Sequence, residues 1–519
     1  MTRRLRLLEA PVPIHLLVGP LAPPLMVLAL SSEFAPPMPS VWFVAGIWGA
    51  VLALVAGLTC ITRNVRTSAA VVALVLLAFF VDFATAGVMR TVPVFSLAIW
   101  IVVAVIGVML IRRRREAPGL TVFANVLFVS VSLGSCGQIA FLSLLPKPAV
   151  KPERSQVSGS TGVSRVGTRP DIYVFVLDGY ARADVLKRLY RYDDAFVPRL
   201  RDQGFYVADL ASSNYAQTAL SLASSLNLDY LPALIDGIPS DAASRVPCRT
   251  LMTDNRTFRI LRDAGYRTAT FASEYSMLRF ANVDHEYDPP LYLTDFGVSF
   301  FHAGVPTFSR LVGLPPAWLP HQIRRRHILW TFEQLAHQTL SAPDRPTFVF
   351  AHILLPHPPF VFRADGSYTW TTAQGMQDGD HWRAGQDGRG ETYEAGYVAQ
   401  LRFLADQLPR IVHDIFARAR RPTAVLIQGD HGSGSRLVWD TAAASDMNER
   451  LGILLAVKFS GGNAANPYPT MTPVNAMRLL LNDALGTNMP LLEDRAWFST
   501  WSRPYRFIDA TDRVRRHPE

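Results

Sequence analysis

The run Gln428-Gly429-Asp430-His431-Gly432-Ser433-Gly434 follows directly on the apolar stretch Thr423–Ile427. A strand that empties into an Asp-His pair between glycines offers one oxygen and one nitrogen donor at the carboxyl end of a sheet. Open α/β sheets bind their ligands at that end, and those donors suit a zinc- or manganese-like ion. An Asp-His pair in a Gly-rich turn is also an ordinary loop, so its meaning depends on what else the chain brings to it. Three further segments bear on this. Asp178-Gly179 follows the buried-strand run Asp171–Leu177, where the carboxylate either binds a metal or caps the next helix. Thr218 opens the small-residue stretch Thr218–Asn227; a hydroxyl at a helix N-terminus lies where amides stabilise phosphate, and it is equally placed as an N-cap. His352 and His357 bracket a proline turn after the run Thr347–Ala351.

Four strand exits thus deliver Asp, Thr, a His pair and Asp-His. Together they form a candidate metal site of Asp178, Thr218, Asp430 and His431, with His357 facing a substrate oxyanion and His352 lining the same pocket. Thr218 then serves both as a metal ligand and as the nucleophile on phosphorus or sulfur. Arg182 either steadies substrate oxygens or pairs with Asp184.

The elements that position these residues read as α/β. Short β-rich runs at 172–177, 268–272, 347–351, 423–428 and 453–459 alternate with helical stretches at 181–190, 257–264 and 393–420. That alternation predicts a mostly parallel sheet covered on both faces. The Gly-, Asp- and Gln-rich stretch 365–390 reads as a long surface loop near the site. His285-Glu286 and Asp380-His381 read as solvated loops.

The first third differs in kind. The chain has 519 residues, is 49% hydrophobic and only 18% charged, with a mean hydropathy of +0.16. Apolar stretches near 11–31, 41–61, 69–89, 94–111 and 121–143 each approach the ~20 residues a membrane-crossing helix needs. Five transmembrane helices follow as the expectation. Arg3, Arg4, Arg6, Arg63, Arg66 and Arg112 to Arg115 fall on one side, against Arg90 on the other. The positive-inside rule then puts the N-terminus inside and the globular domain outside. Cleavage after Ala29-Leu30-Ser31 would remove one span and leave that orientation unchanged. The boundaries expected are an anchor over 1–143, a flexible tether over 144–169 and a catalytic domain over 170–519. The net charge of +9 is explained by the inside-facing arginines, and no nucleic-acid motif accompanies it. Cys60 and Cys136 lie in spans, leaving Cys248 alone in the outer domain, which therefore holds together by its core. Nothing in the sequence speaks to oligomeric state.

The order and spacing of these segments resemble the alkaline phosphatase/sulfatase superfamily, in its membrane-anchored branch of lipoteichoic acid synthases and lipid A phosphoethanolamine transferases. Asp178-Gly179-Tyr180-Ala181-Arg182-Ala183-Asp184 is similar to that branch's first acidic ligand and its following Arg-Ala-Asp. Thr218-Ala219-Leu220-Ser221 resembles the nucleophile segment, His352 and His357-Pro358 the paired histidines, and Asp430-His431-Gly432 the last two metal ligands. The resemblance implies five helices followed by an exported sulfatase-like domain on the periplasmic or extracellular side of a bacterial inner membrane. Two departures matter. No Cys/Ser-x-Pro-x-Arg context follows Thr218, which disfavours sulfate-ester hydrolysis. No histidine occurs between Ser433 and Phe459, where the transferases carry another, so one divalent ion (zinc or manganese) is expected and a second is doubtful. The resulting expectation is transfer of a phospho-group from a lipid-linked donor to an envelope acceptor through a Thr218-bound intermediate. The alternatives are hydrolysis of phosphate or sulfate esters by the same site, and a non-catalytic domain that only binds.

Overall fold

The structure is a computed structural model that describes residues 12–22, 25–26, 29, 37–84, 93–113, 117–144, 169–235, 237–293, 297–298, 318–337, 340–342, 344–369, 377–384, 392–461 and 466–515. The chain divides into two compact units. One comprises Met1–Pro146 with Leu293–Pro320, the other Lys147–Tyr292 with His321–Glu519.

In the first unit, helices Pro37–Thr62, Val65–Ala84, Pro93–Arg113 and Pro118–Leu144 fall on four of the five apolar stretches. Among the described residues, Ala45–Thr62 and Pro118–Phe141 are long and apolar enough to cross a membrane, and Val65–Val81 is a shorter apolar helix. Of the expected first span, 11–31, the described pieces are the four-residue helix His15–Val18, the 3-10 turn Gly19–Leu21 and the helical positions Ala22, Leu25, Met26 and Ala29. Ala69, Val72, Ala73, Leu76, Ala124 and Phe128 form a small core with Leu16 and Ala22, while Val102, Val105, Val122, Phe123, Val126 and Leu133 stay exposed. Helices apolar on their outward faces suit lipid rather than water.

The second unit is built on a seven-stranded sheet in the order β2-β7-β6-β1-β5-β3-β4. The strands are β1 Asp171–Leu177, β2 Tyr206–Val207, β3 Arg267–Phe271, β4 His285–Tyr287, β5 Thr347–Ile353, β6 Thr423–Gly429 and β7 Leu455–Lys458. Neighbours from β6 to β4 pair in parallel, whereas β7 runs antiparallel to both β6 and β2. The sheet is therefore mixed, with one strand against six. The central three strands are buried at every position, as expected where helices cover both faces. One thick core joins Phe175, Leu177, Val349, Ala351, Val425 and Ile427 to Tyr397, Leu401, Leu404 and Leu408 of the long helix Tyr393–Arg418.

Register is what brings the chemistry together. Leu177 pairs with Ile353 on one side and with Gly429 on the other, so β1, β5 and β6 end level. Asp178 and Asp430 consequently leave the sheet side by side. β5 runs two residues further than its apolar run suggests, which places His352 inside the strand rather than in the loop beyond it. His285 and Glu286 also belong to a strand, β4, with Glu286 paired to Arg279 at 2.6 Å. They are not a free loop, because β4 adds to the exposed edge of β3.

Candidate active site

Asp178, Asp430 and His431 are all buried, and one potential ligand atom from each lies within 4.8 Å of the others. His431 Nε2 is 3.5 Å from Asp178 Oδ1 and 3.4 Å from Asp430 Oδ2. Neither of those oxygens accepts a hydrogen bond among the described residues. Asp430 Oδ1, by contrast, is held by the Gly179 amide at 3.1 Å. Two buried carboxylates sharing a site, each with an orphaned oxygen, are costly unless a cation stands between them. The donor set fits a divalent ion such as zinc.

The backbone fixes the histidine's tautomer. His431 Nδ1 donates to the Gly432 carbonyl at 2.8 Å, leaving the Nε2 lone pair to face the carboxylates. Burial, and after it the Arg450 charge, push the His431 imidazole below its ordinary pKa, so the ring is neutral at pH 7 and able to ligate. Burial raises Asp178, but His357, then His352 and His431, outweigh it and hold that carboxyl well below its usual range.

Thr218 is the first residue of the helix Thr218–Leu226, after an extended Gln217 that makes no side-chain cap. Its Oγ1 lies 3.1 Å from His431 Nε2, at the rim of the carboxylate cluster and half-buried. The nearby Ser213 hydroxyl donates to the Asp430 carbonyl, tying the approach to this helix onto the loop after β6.

The histidine pair divides. His357 Nδ1 donates to the Pro358 carbonyl at 2.7 Å, so Nε2 points inward, 3.9 Å from Asp378 Oδ2. His352 instead sits against Asp178, Nε2 to Oδ2 at 3.4 Å, with Nδ1 3.0 Å from the Ser273 hydroxyl. That geometry orients the Asp178 carboxylate. Arg182 is buried and fully engaged with Asp184, Asn448 and the Ala211 carbonyl. The ion pair with Asp184 is the arrangement present, and it commits the guanidinium to the fold.

Sequence reasoning missed four buried groups, Asp378, Trp382, Glu449 and Arg450. Asp378 and Trp382 lie in the stretch expected to be a surface loop, yet both are buried. Asp378 meets Arg450 Nη1 at 2.5 Å, a pairing across the chain that no local pattern announces. Burial raises the Asp378 carboxyl, and the Arg450 charge, followed by His357 and His431, brings it below its ordinary value. Glu449 is wholly buried and accepts from Tyr190, the Ser433 and Ser435 hydroxyls, and the amides of Ser435 and Arg436. It clamps the loop after His431. The one available signal was the charged pair Glu449-Arg450 just ahead of the apolar run Leu451–Val457. Gly432 is required at its position because a Cβ there would collide with the Glu449 carbonyl.

The clamp leads to a prediction. Glu449→Gln replaces an acceptor oxygen by a donor and strands part of that network, which costs about 1–3 kcal/mol. Zinc affinity should fall roughly 10–100-fold, the range seen when groups behind a ligand are altered. Titration against a chelating dye reads this, and unchanged affinity would remove the clamp from the account.

No protein-family model matches the chain, and no curated protein matches it. Among solved structures it is similar to the integral membrane lipooligosaccharide phosphoethanolamine transferase A of Neisseria meningitidis, at 15% identity and TM-score 0.40 over 88% of this chain and 76% of that one. It is similar to the zinc complex of the periplasmic domain of EptC from Escherichia coli, at 13% identity and TM-score 0.39 over 66% and 93%. It is also similar to the lipoteichoic acid synthase LtaP of Listeria monocytogenes, at 12% identity and TM-score 0.36 over 62% and 73%. At such identities the chemistry has to be read from the site itself.

Proposed function

We propose that the chain is a metal-dependent phosphotransferase that moves a phospho-group from a lipid-linked donor to an envelope acceptor through a Thr218-bound intermediate. The observation that carries this reading is the 3.1 Å contact between Thr218 Oγ1 and His431 Nε2 at the edge of a buried Asp-Asp-His cluster. Asp178, Asp430 and His431 would hold the ion, with Thr218 at its open side. A divalent ion bound there lowers the pKa of a neighbouring hydroxyl and screens charge on non-bridging oxygens.

The chain's own groups then account for the remainder. Thr218 gives up its hydroxyl proton to solvent and attacks as the alkoxide: Oγ bonds to phosphorus, and the bond from phosphorus to the leaving oxygen breaks. His357, protonated at its inward Nε2, gives that proton to the leaving oxygen. In the second half the acceptor hydroxyl returns a proton to His357 and attacks the phosphothreonine, releasing Thr218. His352 keeps Asp178 oriented throughout.

The anchor is part of the proposal. Five membrane helices over 1–143, a tether over 144–169 and a catalytic domain from 170 would hold the site beside amphiphilic substrates. The domain then lies on the periplasmic or extracellular side of a bacterial inner membrane. One zinc or manganese ion is the proposed occupant, held by the buried Asp178, Asp430 and His431 cluster.

The experiment supplies the full chain in detergent, loaded with zinc, with vesicles of phosphatidylethanolamine and phosphatidylglycerol. Diacylglycerol should appear and should stop appearing on chelation. Release of phosphate or sulfate from soluble esters without diacylglycerol would favour the hydrolase reading, and no bound metal would favour a domain that only binds.

A further inference from the structure

Arg450 stands at a junction that the proposed chemistry has not yet used. It lies in the short helix Met447–Leu451, and its side chain is 2% exposed. Its Nε donates to the Ala216 carbonyl at 2.8 Å, two residues before Thr218. Its Nη1 donates to the Gly432 carbonyl at 3.3 Å, directly after His431, and to Asp378 Oδ2 at 2.5 Å. The guanidinium also lies 5.0 Å from the centre of the Trp439 ring. One planar group therefore touches the segment that carries the nucleophile and the loop that carries two metal ligands.

Asp378 is held as firmly as it holds. Its Oδ1 accepts from Tyr393 Oη at 2.9 Å and from the Gly379 amide at 2.9 Å. Tyr393 Oη in turn accepts from the Gly434 amide at 2.9 Å, and Trp439 Nε1 donates to the Asp378 carbonyl at 3.1 Å. The Asp378 carboxylate fills the space where a Cβ on Gly434 would stand.

We infer that Arg450 is a positioning residue, locked by Asp378, that couples the Thr218 segment to the Asp430-His431 loop and so sets the nucleophile's place beside the metal ligands. A fork of fixed geometry does this where a lysine cannot, because only guanidinium satisfies two carbonyls and a carboxylate in one plane. Fold stability alone does not demand the pair, since buried ion pairs often contribute little net stability. The inference rests on Thr218 being the nucleophile.

The test compares wild type, Arg450→Lys, Asp378→Asn and the double variant, as full chains in detergent with zinc. Both single changes keep side-chain bulk, whereas Arg450→Ala would leave Asp378 buried and unpaired. With bis(p-nitrophenyl) phosphate as substrate, kcat should fall on the order of 100-fold in each single variant, as expected for a displacement of about 1 Å. KM should move by less than about threefold, and zinc stoichiometry should stay constant. The double variant should be no worse than the poorer single, because the two residues act as one unit. Hydrogen exchange supplies a readout independent of turnover: peptides spanning 213–221 and 430–436 should exchange faster together in both single variants. Unchanged kcat with unchanged exchange, losses that multiply in the double variant, or faster exchange in one segment alone would overturn the coupling. An inactive wild type whose variants show the paired rise in exchange would instead sink the proposed function and leave the coupling standing.

Discussion

Thr218→Ala is expected to lower diacylglycerol release on the order of 10⁴-fold or more, while zinc remains bound. The magnitude follows from removal of a nucleophile that the rest of the site exists to serve. Zinc should stay because Asp178, Asp430 and His431 supply three donors without it. Thr218 Oγ1 lies 3.1 Å from one of those donors, His431 Nε2. Substitution by serine keeps the hydroxyl and should recover part of the rate. A Thr218→Ala protein with wild-type turnover would mean that water, or some other side chain, attacks the substrate.

Asp430→Asn is expected to act one step earlier, on metal affinity itself, by more than about 100-fold. The Asp430 carboxylate is wholly buried, and one of its oxygens has no hydrogen-bond partner among the described residues. An amide there cannot supply the charge that opposes a divalent ion, and activity should fall with occupancy. The same titration across pH carries a sign. His431 is depressed in the folded protein, so acid favours the unfolded, protonated ring. Its contribution to stability is thus complete above the ordinary imidazole value of about 6.5 and declines as pH falls below it. Asp178, also depressed, contributes in full above the ordinary carboxyl range and loses that contribution in stronger acid. Zinc binds the folded site, where His431 takes up a proton only below the ordinary imidazole value. Zinc affinity should therefore hold level from pH 8 through about 6.5 and weaken only in stronger acid. Affinity already falling at pH 8 would place a proton on the ligand set that the geometry does not allow.

Much of this site could be read before any coordinates because it hangs on strand ends. Asp171–Leu177 and Thr423–Gly429 are uninterrupted runs suited to central strands, and parallel pairing makes their exits neighbours. Asp178, Asp430 and His431 follow from that single geometric fact, whereas Thr218 opens a helix rather than leaving a strand. What could not be read depends on contacts distant in sequence. Asp378 looks like any acidic loop residue until Arg450 is found beside it. His352 and His357 look like a matched pair, yet one lies within β5 against Asp178 and the other turns toward Asp378. Arg182 offered two fates, and only packing against Asn448 and the Ala211 carbonyl distinguishes them. The one strand that opposes the rest, β7, had no sequence mark either, since an apolar run carries no direction.

The central claim is a covalent bond to Thr218. High-resolution mass spectrometry of the zinc-loaded full chain, quenched in acid after brief exposure to the phospholipid vesicles, tests it most directly. The account predicts a phospho-group on the peptide carrying Thr218, absent from Thr218→Ala, whose mass names the group transferred. Diacylglycerol release at full rate with no such adduct, and with equal rates in wild type and Thr218→Ala, would contradict it.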